Sequence, residues 1–222
     1  LAKDWWNPNG KFKPLHQLNP TRIEFIKNKL ISYYKIKPNN EKPLKRLRIL
    51  DIGCGGGLLC EPLYRLGATI TGIDPSQNNI KIAKLHSEEM GLKINYVCCP
   101  PEKLNFENKF DIILNMEVVE HVANIDLFIE NCSKIINKNG IMFVSTINKN
   151  LKSYIFAILG AEYILRWLPI GTHDWNKFLT PQELEEIAKK NNFTINEVIG
   201  MKFDLLSRHW KQSSDTTINY IS

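Results

Sequence analysis

Arg48-Ile49-Leu50-Asp51-Ile52-Gly53-Cys54-Gly55-Gly56-Gly57-Leu58 decides how this chain folds. A short apolar run carrying one acid leads into a glycine-dense loop, and a helical pattern follows. Glycine lets the backbone turn sharply there and lets a ligand come close to the chain. Downstream the alternation repeats. Apolar runs occupy Arg48–Ile52, Thr69–Ile73, Ile94–Cys98, Phe110–Met116 and Ile141–Thr146, with helical patterns at Leu58–Leu66, Gln77–Met90 and Ile125–Ile136. Strands alternating with helices predict right-handed crossovers and an α/β fold with a doubly wound, mostly parallel sheet. Uniformly apolar strands agree, because such strands are buried on both faces. Thr180-Pro181-Gln182-Glu183 predicts a helix start, running to about Asn191. Alternating stretches near Thr194–Phe203 and Thr216–Ile221 predict two closing strands. Upstream, a basic helical segment at about Pro20–Tyr34 precedes a Lys/Asn/Pro linker at Lys35–Pro43. The expected division is therefore residues 1–44 and a main domain at 45–222, with a helical, apolar insert at 148–178 after the fifth strand.

With 222 residues, 43% hydrophobic and 23% charged, the chain is neither disordered nor fibrous. Its formal charge of +6 is unevenly placed. Residues 1–48 hold 12 basic and 3 acidic side chains, a net of +9, while the remainder holds 17 and 20, a net of −3. Nucleic acid is disfavoured as the partner: Lys outnumbers Arg by 23 to 6, and no RNA-binding signature is present. The lysines are interleaved with Trp, Phe, Tyr and Leu, which suits an anionic membrane surface better. Five cysteines without zinc spacing suit a reducing compartment. No apolar run is long enough to span a bilayer. The first residue is Leu rather than Met, which leaves open whether a leader or start precedes it.

The glycine loop excludes two common ligands. Counted from Gly53, the third position of a dinucleotide fingerprint falls on Leu58; counted from Gly55, it falls on Cys60. There is no Walker lysine. What remains is Asp51-x-Gly53-x-Gly55-x-Gly57, with Asp74 twenty-one residues past Gly53 at the end of the second strand, placed to accept both hydroxyls of a ribose. This resembles the cofactor loop of class I S-adenosylmethionine-dependent methyltransferases. Met116 ends the fourth strand at the same crevice, where its soft thioether suits an adenine face. No Asn/Asp-Pro-Pro-Tyr-type motif follows that strand, a further point against a nucleic-acid substrate.

Glu117-Val118-Val119-Glu120-His121 comes next. On a helical turn, Glu117, Glu120 and His121 would share one face at i, i+3 and i+4. Two chemistries fit: a divalent cation that lowers the pKa of a substrate hydroxyl, or His121 acting alone as general base. The carboxylates favour Mg²⁺ and the imidazole a transition metal.

Taken together, several stretches resemble the ubiquinone-biosynthesis O-methyltransferases: Trp5-Trp6 through Arg22, the Asp51–Gly57 loop, Met116–His121, Gly160-Ala-Glu-Tyr-Ile-Leu-Arg166 and Gly171-Thr-His-Asp174. The likeness runs from about Trp5 to Tyr220; Asn7 departs from it, where relatives often carry Asp. It implies cofactor contacts at Arg22, Gly53, Asp74 and Met116, with Asp51 and Gly55 in the same loop. Arg22 would hold the methionine carboxylate bidentately. It also implies Mg²⁺ at Glu117, Glu120 and His121, as in eukaryotic relatives, and catechol-type hydroxyls of polyprenylated precursors as the acceptors at two O-methylation steps. A neutral phenol is a poor nucleophile, so a base or metal must expose the oxygen. His121 with Glu120 is the first candidate and His173 with Asp174 the second.

Lys152–Leu168 reads KSYIFAILGAEYILRWL, too short and polar to span a bilayer but suited to lie in its interface. The expected location is the cytoplasmic face of a bacterial inner membrane, or the equivalent matrix side, with a ubiquinone-biosynthesis complex as possible company. Two rival readings remain: a methyltransferase of a soluble phenol, and a noncatalytic cofactor-binding scaffold.

Overall fold

The computed structural model describes residues 2–37, 40–104, 106–149, 178–204 and 206–222. Lys152–Leu168, His173 and Asp174 lie outside the described residues.

The chain forms two compact units, one running through Leu114 and including Ile135–Met142, the other made of Asn115–Lys134 and Phe143 to the end. The first opens with a four-residue turn of helix, α1 (Ala2–Trp5), and then α2 (Lys13–Tyr33). Next come β1 (Arg48–Ile52), α3 (Cys60–Arg65), β2 (Thr69–Asp74), α4 (Gln77–Glu89) and β3 (Asn95–Cys98). β1 and β2 run parallel with Ile52 opposite Ile73, and β2 and β3 run parallel with Asp74 opposite Cys98. Ile49, Leu50, Ile52 and Ile73 are buried, as strands covered on both faces require.

α2 begins seven residues before the expected start and carries Pro20 in its interior. An interior proline removes a hydrogen bond, at a cost of about 3 kcal/mol. Against that, Leu18, Arg22, Phe25, Ile26 and Leu30 recur at helical spacing and are all buried, so tertiary packing carries the helix through the proline.

β4 (Phe110–Met116), α5 (Ile125–Ile135) and β5 (Ile136–Ile147) follow. The central sheet has six strands in the order β3-β2-β1-β4-β5-β8, where β8 (Asn219–Ile221) pairs antiparallel with β5. α6 (Pro181–Lys190) starts at the expected place. Thr180 Oγ1 accepts the Glu183 N–H at 3.2 Å, and Glu183 Oε2 accepts the Thr180 N–H at 2.8 Å.

Only one of the two expected closing strands joins this sheet. The other begins at Gly200, as β6 (Gly200–Asp204), and pairs antiparallel with β7 (His209–Ser213) in a separate two-stranded sheet. The expected Thr194–Phe203 stretch touches the central sheet at one bridge just before β6, where Ile199 and Ile221 of β8 exchange backbone hydrogen bonds at 3.0 and 2.8 Å. Among the described residues no helix is long and apolar enough to cross a membrane.

Candidate functional site

In the first unit the site is built at the carboxyl ends of β1 and β2. The loop leaves β1 at Gly53 and is tied to β2 by the Cys54 N–H, which donates to Ile73 O at 2.9 Å. Gly55 takes φ +53°, a conformation that favours glycine.

Asp74 anchors this loop. Its Oδ2 accepts the Gly55 N–H at 3.0 Å, and its Oδ1 accepts the Ser76 N–H at 2.9 Å and the Asn79 amide at 3.1 Å. The acid expected to face a ribose therefore also ties the glycine loop to the start of α4. Asp51 is buried, and its Oδ2 accepts the Cys60 thiol at 3.1 Å. Burial pushes its carboxyl up to about 7; the Cys60 hydrogen bond opposes this, the nearby Asp74 adds to it, and the charge of Arg22 counters it. Arg22, on α2, is only 5% exposed.

The structure thus gathers Arg22, Asp51, Gly53, Gly55 and Asp74 into one compact unit. A buried guanidinium, two buried carboxylates and a glycine-lined turn match a ligand that carries a carboxylate, an ammonium and a ribose, so the donor set fits S-adenosylmethionine. Gly55 has a second reason to be glycine: the Trp5 ring occupies the space a Cβ would need there. That contact was not legible in advance, because nothing in the sequence marks which residue will lie on a glycine.

In the second unit, Met116 ends β4 and is buried. The expected helical turn does not form after it. Glu117 adopts φ +59°, residues 119–121 form a tight turn with the His121 N–H donating to Val118 O at 2.8 Å, and the helix waits until Ile125. Val118 and Val119 are buried in this turn and His121 is exposed. Ser145 and Thr146, on β5, hold the two acids. Ser145 Oγ donates to Glu117 Oε1 at 2.6 Å, and Thr146 Oγ1 donates to Glu120 Oε2 at 3.0 Å.

Glu120 is 3% exposed. Burial first, then the adjacent Glu117 carboxylate, push it well above the usual carboxylate range. The structure therefore joins Glu117 and Glu120 but does not assemble a metal cage with His121. Among the described residues no group of three or more His, Cys, Asp or Glu side chains is placed to hold a metal ion. The hydroxyl partners of the two acids, Ser145 and Thr146, went unread in the sequence; the only signal is that both stand near the carboxyl end of the fifth apolar run.

Comparison with known proteins agrees with this geometry. Residues 22–198 match a methyltransferase domain family. Among solved structures, the magnesium protoporphyrin IX methyltransferase of Synechocystis PCC 6803 with bound SAH aligns with a TM-score of 0.66 at 18% identity, covering 95% of this chain and 83% of that one. An S-adenosylmethionine-dependent methyltransferase of Thermotoga maritima aligns with a TM-score of 0.64 at 15% identity, covering 99% and 95%. The fold and the loop define a class I S-adenosylmethionine-dependent methyltransferase. A ubiquinone biosynthesis O-methyltransferase from Pelagibacter ubique is 57% identical over the whole of this chain and 92% of its own length, and one from Bartonella bacilliformis is 51% identical over the whole chain and 90% of its own. The chain belongs to the ubiquinone biosynthesis O-methyltransferase family, and its activity is S-adenosylmethionine-dependent O-methylation.

Proposed function

We propose that this enzyme methylates catechol-type hydroxyls of polyprenylated ubiquinone precursors, at both O-methylation steps of that synthesis. The observation that carries the chemistry is the pairing of buried Glu120 with half-buried Glu117 beside His121 at the end of β4, the end at which open α/β sheets place their ligands. When bound, S-adenosylmethionine supplies an electrophilic methyl group on a sulfonium. Arg22 would hold its carboxylate, Asp51 would face its ammonium, Asp74 would take the ribose and Met116 would pack on the adenine, with Gly53 and Gly55 leaving the backbone open to close approach. His121 removes the proton from the acceptor hydroxyl so that the oxygen attacks as a phenolate. The Ser145 and Thr146 hydroxyls hold Glu117 and Glu120 in place beside His121. Holding donor and acceptor in line supplies much of the rate.

The test is a methyl-transfer assay with a short-chain polyprenyl catechol, with and without EDTA. Turnover should persist in EDTA, and His121→Ala should lower kcat by at least about a hundredfold. If His173→Ala shows that loss and His121→Ala does not, the base is misassigned. Binding of S-adenosylhomocysteine without any transfer would make the chain a scaffold, and equal turnover of an unprenylated catechol would remove the lipid substrate.

Contact with an anionic membrane surface, at the cytoplasmic face of the inner membrane or its matrix equivalent, belongs to the same reading. Its support is the net +9 of residues 1–48 and the apolar Lys152–Leu168 sequence. Liposomes with anionic lipid should retain the protein at low salt, and Ile155→Ser, Phe156→Ser and Leu159→Ser together should release it. Wild-type protein that ignores such liposomes sinks this part.

A further inference from the structure

We infer that Trp5 and Trp6 form a strap that positions the glycine loop for the cofactor. The inference rests on the reading that S-adenosylmethionine occupies that loop.

Trp6 is fixed from two sides. Its Nε1–H donates to Gly56 O at 3.0 Å, and its indole stacks on the His86 imidazole with centroids 3.6 Å apart and planes 5° from parallel. His86, on α4, donates from Nδ1 to Oε1 of Glu61 at 2.6 Å. Glu61, at the start of α3, is 3% exposed, and its own N–H donates to Gly57 O at 3.1 Å. The circuit from Gly56 through Trp6, His86 and Glu61 to Gly57 therefore closes on the loop itself.

Trp5 adds a second clasp. Its ring stacks on Phe12 at 3.8 Å, its carbonyl accepts the His16 Nε2–H at 2.8 Å, and a Cβ on Gly56 would lie 2.7 Å from the ring. A glycine-rich loop is costly to order, because glycine has the most backbone freedom to lose. A strap that holds the loop before binding lowers that cost at the moment the cofactor arrives. Trp5 and Trp6 are thus positioning residues: they act through the loop and not on the methyl group.

Calorimetry with S-adenosylhomocysteine, together with steady-state kinetics, tests this. Trp6→Ala should weaken binding at least tenfold and raise KM for S-adenosylmethionine by a similar factor, with kcat at saturation within about threefold. Trp6→Phe keeps a ring on His86 but has no donor for Gly56, and should fall between the two. Gly56→Ala is free of backbone strain, since Gly56 is not left-handed, yet its methyl meets the Trp5 ring. It should weaken binding, and Trp5→Ala added to it should weaken binding no further, because both act at one contact. Binding within twofold of wild type for Trp6→Phe, Trp5→Ala and Gly56→Ala, whatever their melting temperatures, overturns the inference, as does simple additivity of the last two. Failure of the wild-type protein to bind S-adenosylhomocysteine overturns the cofactor reading instead.

Discussion

Glu120 meets burial and a neighbouring carboxylate acting in the same direction, toward its protonated form. A protonated carboxyl and a carboxamide have nearly the same shape, and each offers a donor and an acceptor. Glu120→Gln should therefore keep kcat/KM within about threefold and raise the urea midpoint at pH 8, where the folded chain must hold a proton that the unfolded chain has released, while changing it little near pH 4. Glu120→Ala removes the acceptor of the Thr146 hydroxyl and should cost about 1–3 kcal/mol of stability in the same unfolding series. A hundredfold loss of turnover in Glu120→Gln would mean that the ionised carboxylate is what the reaction needs. The acids themselves were legible in the sequence, and so was their place after β4. Their geometry was not, because the left-handed φ of Glu117 has no compositional sign and converts an expected helical face into a turn. The same holds for Asp74. Its position after β2 was readable, but its bonds to Gly55, Ser76 and Asn79 depend on where two other segments come to rest.

Elements whose stabilising contacts lie within a few residues were the readable ones. α6 is the clearest: Thr180 and Glu183 exchange hydrogen bonds across three residues, and Pro181 fills the first helical position. That exchange also holds the Glu183 carboxyl below its ordinary value, first through the Thr180 backbone N–H. Thr180→Ala should lower stability by about 1 kcal/mol in chemical denaturation and leave kcat/KM unchanged. A loss below about 0.3 kcal/mol would show that packing of Leu184, Ile187 and Ala188 fixes the helix without its cap. β1, β2 and β4 were equally readable, since strands buried on both faces must be apolar throughout. β7 was not. His209-Trp-Lys-Gln-Ser213 has no run of its own and becomes a strand only because β6 lies beside it. α2 shows the opposite error. Pro20 looks like a helix start, and only the buried stripe from Leu18 to Leu30 explains why the helix passes through it.

For the whole molecule, the buried acids set how stability varies with pH. Asp51 titrates at about 7 in the folded chain against an ordinary value of 3.8, and Glu120 is displaced in the same direction. Between about pH 4 and 7 the folded protein holds protons that the unfolded chain has released, so stability falls as pH rises through that window. Glu183 and Asp204 are held low instead, and their contributions are lost only as pH falls below the ordinary carboxylate range, outside it. The ligand-free protein should thus unfold at lower urea at pH 8 than at pH 5.5, with Asp51 contributing up to about 2 kcal/mol of the difference. Asp51→Asn should flatten the slope. Cofactor binding should reverse the preference, because an ammonium facing Asp51 favours its ionised form. S-adenosylhomocysteine should accordingly bind more tightly from pH 6 to 8 and release close to one proton near pH 6. That release is measurable by calorimetry in buffers of different ionisation enthalpy. A pH-independent affinity with no proton release, alongside a normal stability slope, would mean that Asp51 shapes the loop without meeting the cofactor's charge.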